Sequence, residues 1–502
     1  MVRHGRLSKG CQTCRKRKIK CDQLLPSCGQ CRKAGWMCPQ YEDLAERAFQ
    51  YLDIDSFRTK PKERKHAATR LQPPKPSLEV TSRYSQGPLS SEKIPIAITQ
   101  SLNDRAIEYF LITNTFRDDN GLRGFYEYLP SVHHTGSSDI VSSSLTATAL
   151  AAYGNRFRHP DVLDRARRYY GKSLRLVNRA LQVPVDAATD CTMISILLLN
   201  TFEGLTAEST ASMAYSEGHM KGEMLVMSLR GHSLMETRQG LQIFEHMSRC
   251  LITYCLIRPA QVPPDVIGLR NHAAKYLDTS DPAWVLEEIM IKLANFHVSV
   301  HGGVISAHET IIDLAVKLDE QLCFLAAEMP SGWSFEEIIS PGTGQGHFSP
   351  RLHIYPSLWT AYIWNYIRTC RLRLKREICT QIADLRATSS TASVRYQNLW
   401  LHTRRTIHDL VMDICASVGQ YRAQLMGEAN KSSVKFNASD AVPTIAGVYF
   451  LLWPLLTAGE MTESKVERDW ITAQCHLLGR LTGIQRITTV AETLASGGEA
   501  LL

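Results

Sequence analysis

The sequence predicts a small metal-stabilised N-terminal module, two short helices around a cluster of thiolates, then a flexible linker and a large all-α domain. Three observations carry this expectation. Six cysteines fall between Cys11 and Cys38 in a duplicated spacing. Residues 39–97 hold Pro39, Pro61, Pro73, Pro74, Pro76, Pro88 and Pro95 among several serines, a density that argues against a packed core. From about Ser101 onward apolar residues recur at helical spacing, and alternating β-branched runs bounded by turns are scarce.

The cysteines follow C-x2-C-x6-C, then six residues, then C-x2-C-x6-C. Cys28, Cys31 and Cys38 thus repeat Cys11, Cys14 and Cys21 at an offset of 17 residues. Six thiolates cannot fill two separate tetrahedral zinc sites, which need eight ligand positions. If two thiolates bridge, four terminal ligands and two counted twice supply the eight. Each C-x2-C pair stands at i, i+3, so both sulfurs can face one metal from the first turn of a helix. The residues after Cys14 are expected to continue that helix and turn outward. A disulfide framework would need an oxidising compartment, and MVRHGRLSKGCQTC has no apolar stretch to direct the chain there. The duplication and the basic insert RKRKIK, five cations in six residues, argue against two unrelated mononuclear sites or a purely structural cluster.

The formal net charge is +8, yet residues 1–38 alone carry +9 and the rest of the chain −1. The basic character belongs to the N-terminal module, which implies a polyanion partner for that module. Cys191, Cys250, Cys255, Cys323, Cys370, Cys379, Cys415 and Cys475 lack paired spacing and read as small buried hydrophobes. The richest apolar window, ISILLLNTFEGL (Ile194–Leu205), is too short to span a bilayer. An intracellular, soluble chain without a membrane partner is the expectation.

Domain boundaries follow composition: a cysteine module over 1–40, a linker over 41–97, a helical body over 98–490 and a tail over 491–502. Within the linker, EDLAERAFQYLDI (Glu42–Ile54) reads as a short helix, a candidate for homodimer formation. Lys60–Lys65 (KPKERK) is a second basic cluster. In the body, helical spacing marks Arg105–Phe116, Asp161–Gln182, Asp190–Phe202, Gly240–Ile257, Trp284–Phe296, Ser306–Ala327, Leu358–Ile378, Tyr396–Val418, Ala441–Leu456 and Glu467–Thr488. Catalytic patterns are missing: HVSVH (His297–His301) lacks the glutamate of a zinc-protease motif, PGTGQGH (Pro341–His347) has no strand–helix context, and no G-x-S-x-G occurs. The chain is not expected to be an enzyme.

The stretch GCQTCRKRKIKCDQLLPSCGQCRKAGWMC (Gly10–Cys38) resembles the fungal Zn2Cys6 binuclear-cluster family of transcription factors. Gly10, the basic run, Asp22 after Cys21, Pro26 in the connecting loop and Gly35 all match. The resemblance implies two Zn²⁺ per chain, with Cys11 and Cys28 as shared ligands. One zinc would use Cys11, Cys14, Cys21 and Cys28, the other Cys11, Cys28, Cys31 and Cys38, while Pro26 lets the halves fold back on each other. It further implies that the end of the first helix enters the major groove of double-stranded DNA over a CGG-like triplet. Arg17 and Lys18 then stand as readers, with Lys18 foremost, and Arg15, Lys16, Lys20, Arg32 and Lys33 as phosphate contacts. FRDDNGLRGFYEYLP (Phe116–Pro130) and GHMKGEMLVMSLRG (Gly218–Gly231) are similar to landmarks of the fungal-specific transcription-factor regulatory domain.

These readings converge on a nuclear, sequence-specific transcription regulator of RNA polymerase II genes. It would control metabolic or secondary-metabolite biosynthesis genes, and its body would take a co-regulator, a small effector or a second copy. The alternative is a zinc-dependent nucleic-acid-binding scaffold without sequence specificity, and a third reading tethers a hidden enzyme activity to DNA. The basic clusters Arg15–Lys20 and Lys60–Lys65 fit nuclear import.

Overall fold

A computed structural model describes residues 11–22, 27–36, 38, 100–115, 126–136, 138–207, 215–339, 351–388, 395–426 and 445–497. The linker, the short helix at Glu42–Ile54, Lys60–Lys65, Pro26 and Pro341–His347 lie outside them. The cysteine module contributes two short helices, α1 (Gln12–Lys16) and α2 (Gly29–Lys33).

The body is helical almost throughout: α3 (Leu102–Asn114), α4 (Leu129–His134), α5 (Asp139–Phe157), α6 (Pro160–Ala180), α7 (Pro184–Ala187), α8 (Asp190–Thr206), α9 (Tyr215–Arg230), α10 (Arg238–Ile257), α11 (Pro264–Ala273), α12 (Pro282–His301) and α13 (His308–Ala327). A two-stranded ribbon, β1 (Glu336–Ile339) and β2 (Arg351–Ile354), precedes α14 (Leu358–Thr388), α15 (Gln397–Leu425), α16 (Ala446–Tyr449), α17 (Leu452–Met461), α18 (Lys465–Thr482) and α19 (Gln485–Ser496). Helix α5 lies along α6 and α8, α13 along α14, and α14 also packs on α15 and α17. The terminal helix α19 returns to α8, so one hydrophobic core joins the first and last thirds of the body. That core, rather than a linker, continues through Leu494, past the boundary expected at residue 490.

Several elements differ from expectation, each for a local reason. Helix α5 has no clear apolar stripe because it is buried on nearly every side. Its hydroxyls satisfy themselves on the preceding turn: Ser144 donates to the Ile140 carbonyl (2.5 Å), Thr146 to Ser142 (2.7 Å) and Thr148 to Ser144 (2.9 Å). Thr148 also donates to the Leu198 carbonyl of α8 at 2.8 Å, a contact that small residues permit. The helix expected over Glu467–Thr488 is two helices. Gly483 adopts φ 78°, its N–H closes on the Gly479 carbonyl (2.8 Å), and a Cβ there would stand 2.7 Å from the Arg156 nitrogen of α5.

The ribbon departs from the all-α expectation. Its register pairs Glu336 with Ile354 and Ile339 with Arg351, and helix α15 supplies a surrogate strand edge. Gln420 accepts from the Tyr355 N–H and donates to the Tyr355 carbonyl, both at 2.9 Å.

A buried charge cluster fixes α10, α11 and α12 together. Glu287 accepts from Arg249 Nε (2.8 Å) and Arg270 Nη1 (2.6 Å), while Arg270 lies over the Trp284 ring at 3.6 Å and Arg249 over Trp359 at 4.7 Å. Removing one partner of such a buried set strands the others without a counter-charge. Glu287→Ala should therefore lower the body's unfolding free energy by about 3–5 kcal/mol, measured by chemical denaturation; a loss below about 1 kcal/mol would contradict the structural role given to this cluster.

Candidate metal centre and nucleic-acid interface

A segment of fewer than 30 residues cannot bury enough apolar surface to fold on its own. What this module buries is sulfur. Cys11, Cys14, Cys28 and Cys31 are fully buried, with Cys21, Cys38 and Trp36 packed at their margin. The sulfurs of Cys11, Cys14, Cys21 and Cys28 all lie within 4.8 Å of one another, and so do those of Cys11, Cys28, Cys31 and Cys38. Cys11 and Cys28 belong to both groups.

The separations suit metal coordination. Cys11 Sγ stands 3.8 Å from Cys28 Sγ and 3.7 Å from Cys31 Sγ, and Cys14 Sγ stands 3.6 Å from Cys28 Sγ. A tetrahedron with Zn–S bonds of about 2.3 Å has an edge of about 3.8 Å. All six cysteines are free thiols rather than disulfides. The donor set and its spacing fit two tetrahedral zinc ions with two ligands in common. The two sulfurs in both groups each accept a backbone N–H, Cys11 from Cys14 (3.5 Å) and Cys28 from Cys31 (3.3 Å). These bonds orient the sulfurs and temper the charge that a bridging thiolate carries.

The two halves repeat in backbone as well as in sequence. The Ile19 N–H bonds the Cys14 carbonyl at 3.0 Å, and the Trp36 N–H bonds the Cys31 carbonyl at 2.9 Å, each ending its helix in the same way. The residue that turns left-handed is Lys18 (φ 56°) in the first half and Gly35 (φ 65°) in the second, 17 positions on. Helix α1 therefore stops at Lys16 instead of continuing through the basic run. Asp22 joins the halves by accepting the Gly29 N–H on its two carboxylate oxygens, at 2.9 and 3.0 Å.

The basic side chains are placed accordingly. Lys16, Arg17, Lys18 and Lys20 are exposed at the end of α1, and Arg32 and Lys33 are exposed at the end of α2. Arg15 lies within α1, but its side chain is outside the described residues, as is Pro26. The Arg17 guanidinium stacks over the Trp36 ring at 3.9 Å. That contact joins the reader of one half to the other half and was not foreseeable from spacing alone. Stacked in this way, Arg17 is held across the module, whereas Lys18 projects from the turn itself.

Elsewhere the structure gives other roles to the motifs singled out in sequence. His297 is buried on α12, where burial lowers its pKa well below the usual range, and His301 Nδ1 bonds the His297 carbonyl at 2.9 Å. The thiols of Cys370 and Cys475 are pushed up to about 12 by burial, as expected of small hydrophobes.

Residues 9–48 match the family described as Fungal Zn(2)-Cys(6) binuclear cluster domain. The cofactor of that domain is two zinc ions, and the six cysteines are present here in the matching segment. The chain is also similar to the transcriptional activator protein acu-15 of Neurospora crassa, 41% identical over 45 residues, which is 9% of this chain and 5% of that protein. White-opaque regulator 2 of Candida albicans is 46% identical over 41 residues, 8% of this chain and 9% of its own. The likeness thus covers less than a tenth of either relative. No solved structure matches the chain. No helix among the described residues is long and apolar enough to cross a membrane.

Burial raises the thiol pKa of Cys11 and Cys14 and pushes that of Cys31 up to about 12. In the metal-free module these sulfurs hold their protons at neutral pH, and zinc must displace them. Apparent zinc affinity should fall by at least about tenfold per pH unit between pH 8 and 6, in competition with a chelator. An affinity independent of pH over that window would contradict the buried-thiol picture.

Proposed function

We propose that this chain is a sequence-specific transcription regulator of RNA polymerase II genes, working in the nucleus, whose N-terminal module reads a CGG-like triplet in the major groove of double-stranded DNA. In this reading one zinc is held by Cys11, Cys14, Cys21 and Cys28 and the other by Cys11, Cys28, Cys31 and Cys38. Lys18, with Arg17 beside it, meets base edges, and Arg15, Lys16, Lys20, Arg32 and Lys33 meet phosphates. The helical body acts as the regulatory domain, and the targets are metabolic or secondary-metabolite biosynthesis genes. The observation that carries the reading is the left-handed turn at Lys18. A lysine stands where the duplicate half uses glycine, at a cost of order 1–2 kcal/mol, and strain of that kind concentrates at functional sites.

The module's role in zinc binding is what the chain itself does before any DNA arrives. The cysteines bury and orient the metals, Asp22 clamps the second helix, and the Arg17–Trp36 stack holds one half against the other. Zinc supplies the cross-link and neutralises thiolate charge. With the cluster charge compensated, the exposed cations keep a net positive surface for the phosphate backbone.

Competition binding tests this. The zinc-loaded protein should prefer CGG-containing duplex over scrambled duplex by at least ~10³, and lose ~10³–10⁵ in affinity between 50 and 200 mM salt. Equal affinity for the two duplexes would instead support a non-specific scaffold. Lys18→Gly should retain two zinc ions, because glycine suits the turn better than lysine, while discrimination falls by about 1–3 kcal/mol. Unchanged discrimination in that variant would remove Lys18 from base reading.

A further inference from the structure

A cavity of about 220 Å³ lies in the body where α8, α10, α14, α17 and α19 meet. One wall is apolar and aromatic, formed by Met220, Tyr362, Trp453, Leu456 and Val490. The other carries Arg249, Arg258 and Arg486, and no aspartate or glutamate is among the residues lining the cavity. Trp453, Arg258 and Arg486 are partly exposed, which places the mouth on the cationic side.

The three arginines are not equivalent. Arg249 already has its counter-charge in Glu287, 2.8 Å away. Arg486 has its pKa lowered, first by burial and also by the positive charge of Arg258, so these two cations share one low-dielectric wall. Neighbouring acids do little to offset them. Glu223, on α9, is pushed up to about 8 by burial and is neutral at physiological pH. Glu203, whose charge does reach Arg486, has one carboxylate oxygen engaged by the Tyr170 hydroxyl (2.5 Å) and by His219 Nε2 (2.8 Å). Like charges in a confined, partly desolvated site are costly, and an anion between them relieves that cost.

Size completes the argument. A cavity of about 150 Å³ takes up benzene, so this one has room for about nine non-hydrogen atoms on the same scale. We propose that the cavity binds a small aromatic or branched monocarboxylate, its carboxylate toward Arg258 and Arg486 and its apolar part against Tyr362, Trp453 and Leu456. Because the walls come from α8 and α10 on one side and α14, α17 and α19 on the other, an occupant ties the first part of the body to the last. Binding there stabilises the folded body by mass action. This site is independent of the DNA-reading surface, and its test involves no DNA, so either proposal can fail while the other stands.

The experiment uses the full-length, zinc-loaded protein with benzoate, benzamide and benzamidinium, which share size and shape but are anionic, neutral and cationic. Benzoate should bind saturably by calorimetry, raise the thermal midpoint in a concentration-dependent way, and outbind benzamide by ~10-fold or more. Benzamidinium should bind more weakly still. Arg486→Gln should bring benzoate down to the level of benzamide and leave benzamide itself unchanged. Val490→Phe, which fills the cavity, should abolish binding of both. No saturable benzoate binding at millimolar concentration, or equal affinity for benzoate and benzamide, would overturn the proposal. The comparison among the three ligands on the wild-type chain decides it even if the Arg486 variant fails to fold.

Discussion

Sharing of two sulfurs between two metals is the constraint on which the N-terminal module depends. Six ligands have to do the work of eight, so Cys11 and Cys28 must each lie within reach of both groups of sulfurs. Everything around them follows from that requirement. The N–H bonds from Cys14 and Cys31 fix the shared sulfurs, the duplicated helix ends bring the chain round to Cys21 and Cys38, and Asp22 binds the start of α2. There is no hydrophobic core to fall back on, since the buried side chains are the cysteines themselves. Metal binding and folding are one event in such a module.

The duplication also separates structure from function within the module. Where the two halves need the same backbone, they differ in one telling residue: Gly35 takes the left-handed turn freely, and Lys18 takes it under strain. A sequence under selection for stability alone would place glycine at both. Lysine at the first turn projects a cation from the end of α1 that no continuation of the helix follows. The Arg17–Trp36 stack then uses the second half to steady the first. One half of the duplication has become the reading surface and the other its support.

How much of this was legible in the sequence depended on how local the physics was. Metal-ligand spacing is local chemistry, so the cysteine groups could be read directly from C-x2-C-x6-C. The end of α1 could not, because arginine and lysine are good helix formers and only the geometry around the cluster stops the helix at Lys16. In the body, long amphipathic helices such as α6 announced themselves by periodicity, while α5 hid behind serines and threonines that bond their own backbone. The ribbon β1–β2 depends on Gln420 from a distant helix, which no local pattern encodes. The arginine-lined cavity draws its walls from five helices spread over nearly 300 residues, and that too escapes any motif search.

The body thus offers what the cluster lacks, a buried and chemically distinctive site, while the cluster offers what the body lacks, a concentrated positive surface. Both rest on burial of groups that need partners: thiolates that need metal, and arginines that need an anion. The claim on which the account turns is the shared-thiolate cluster, and X-ray absorption at the zinc edge addresses it most directly. The account predicts four sulfur neighbours per zinc at about 2.3 Å, with a second zinc contributing to the outer scattering. Nitrogen or oxygen in the first coordination sphere, or the absence of zinc backscattering in a fully loaded protein, would contradict it.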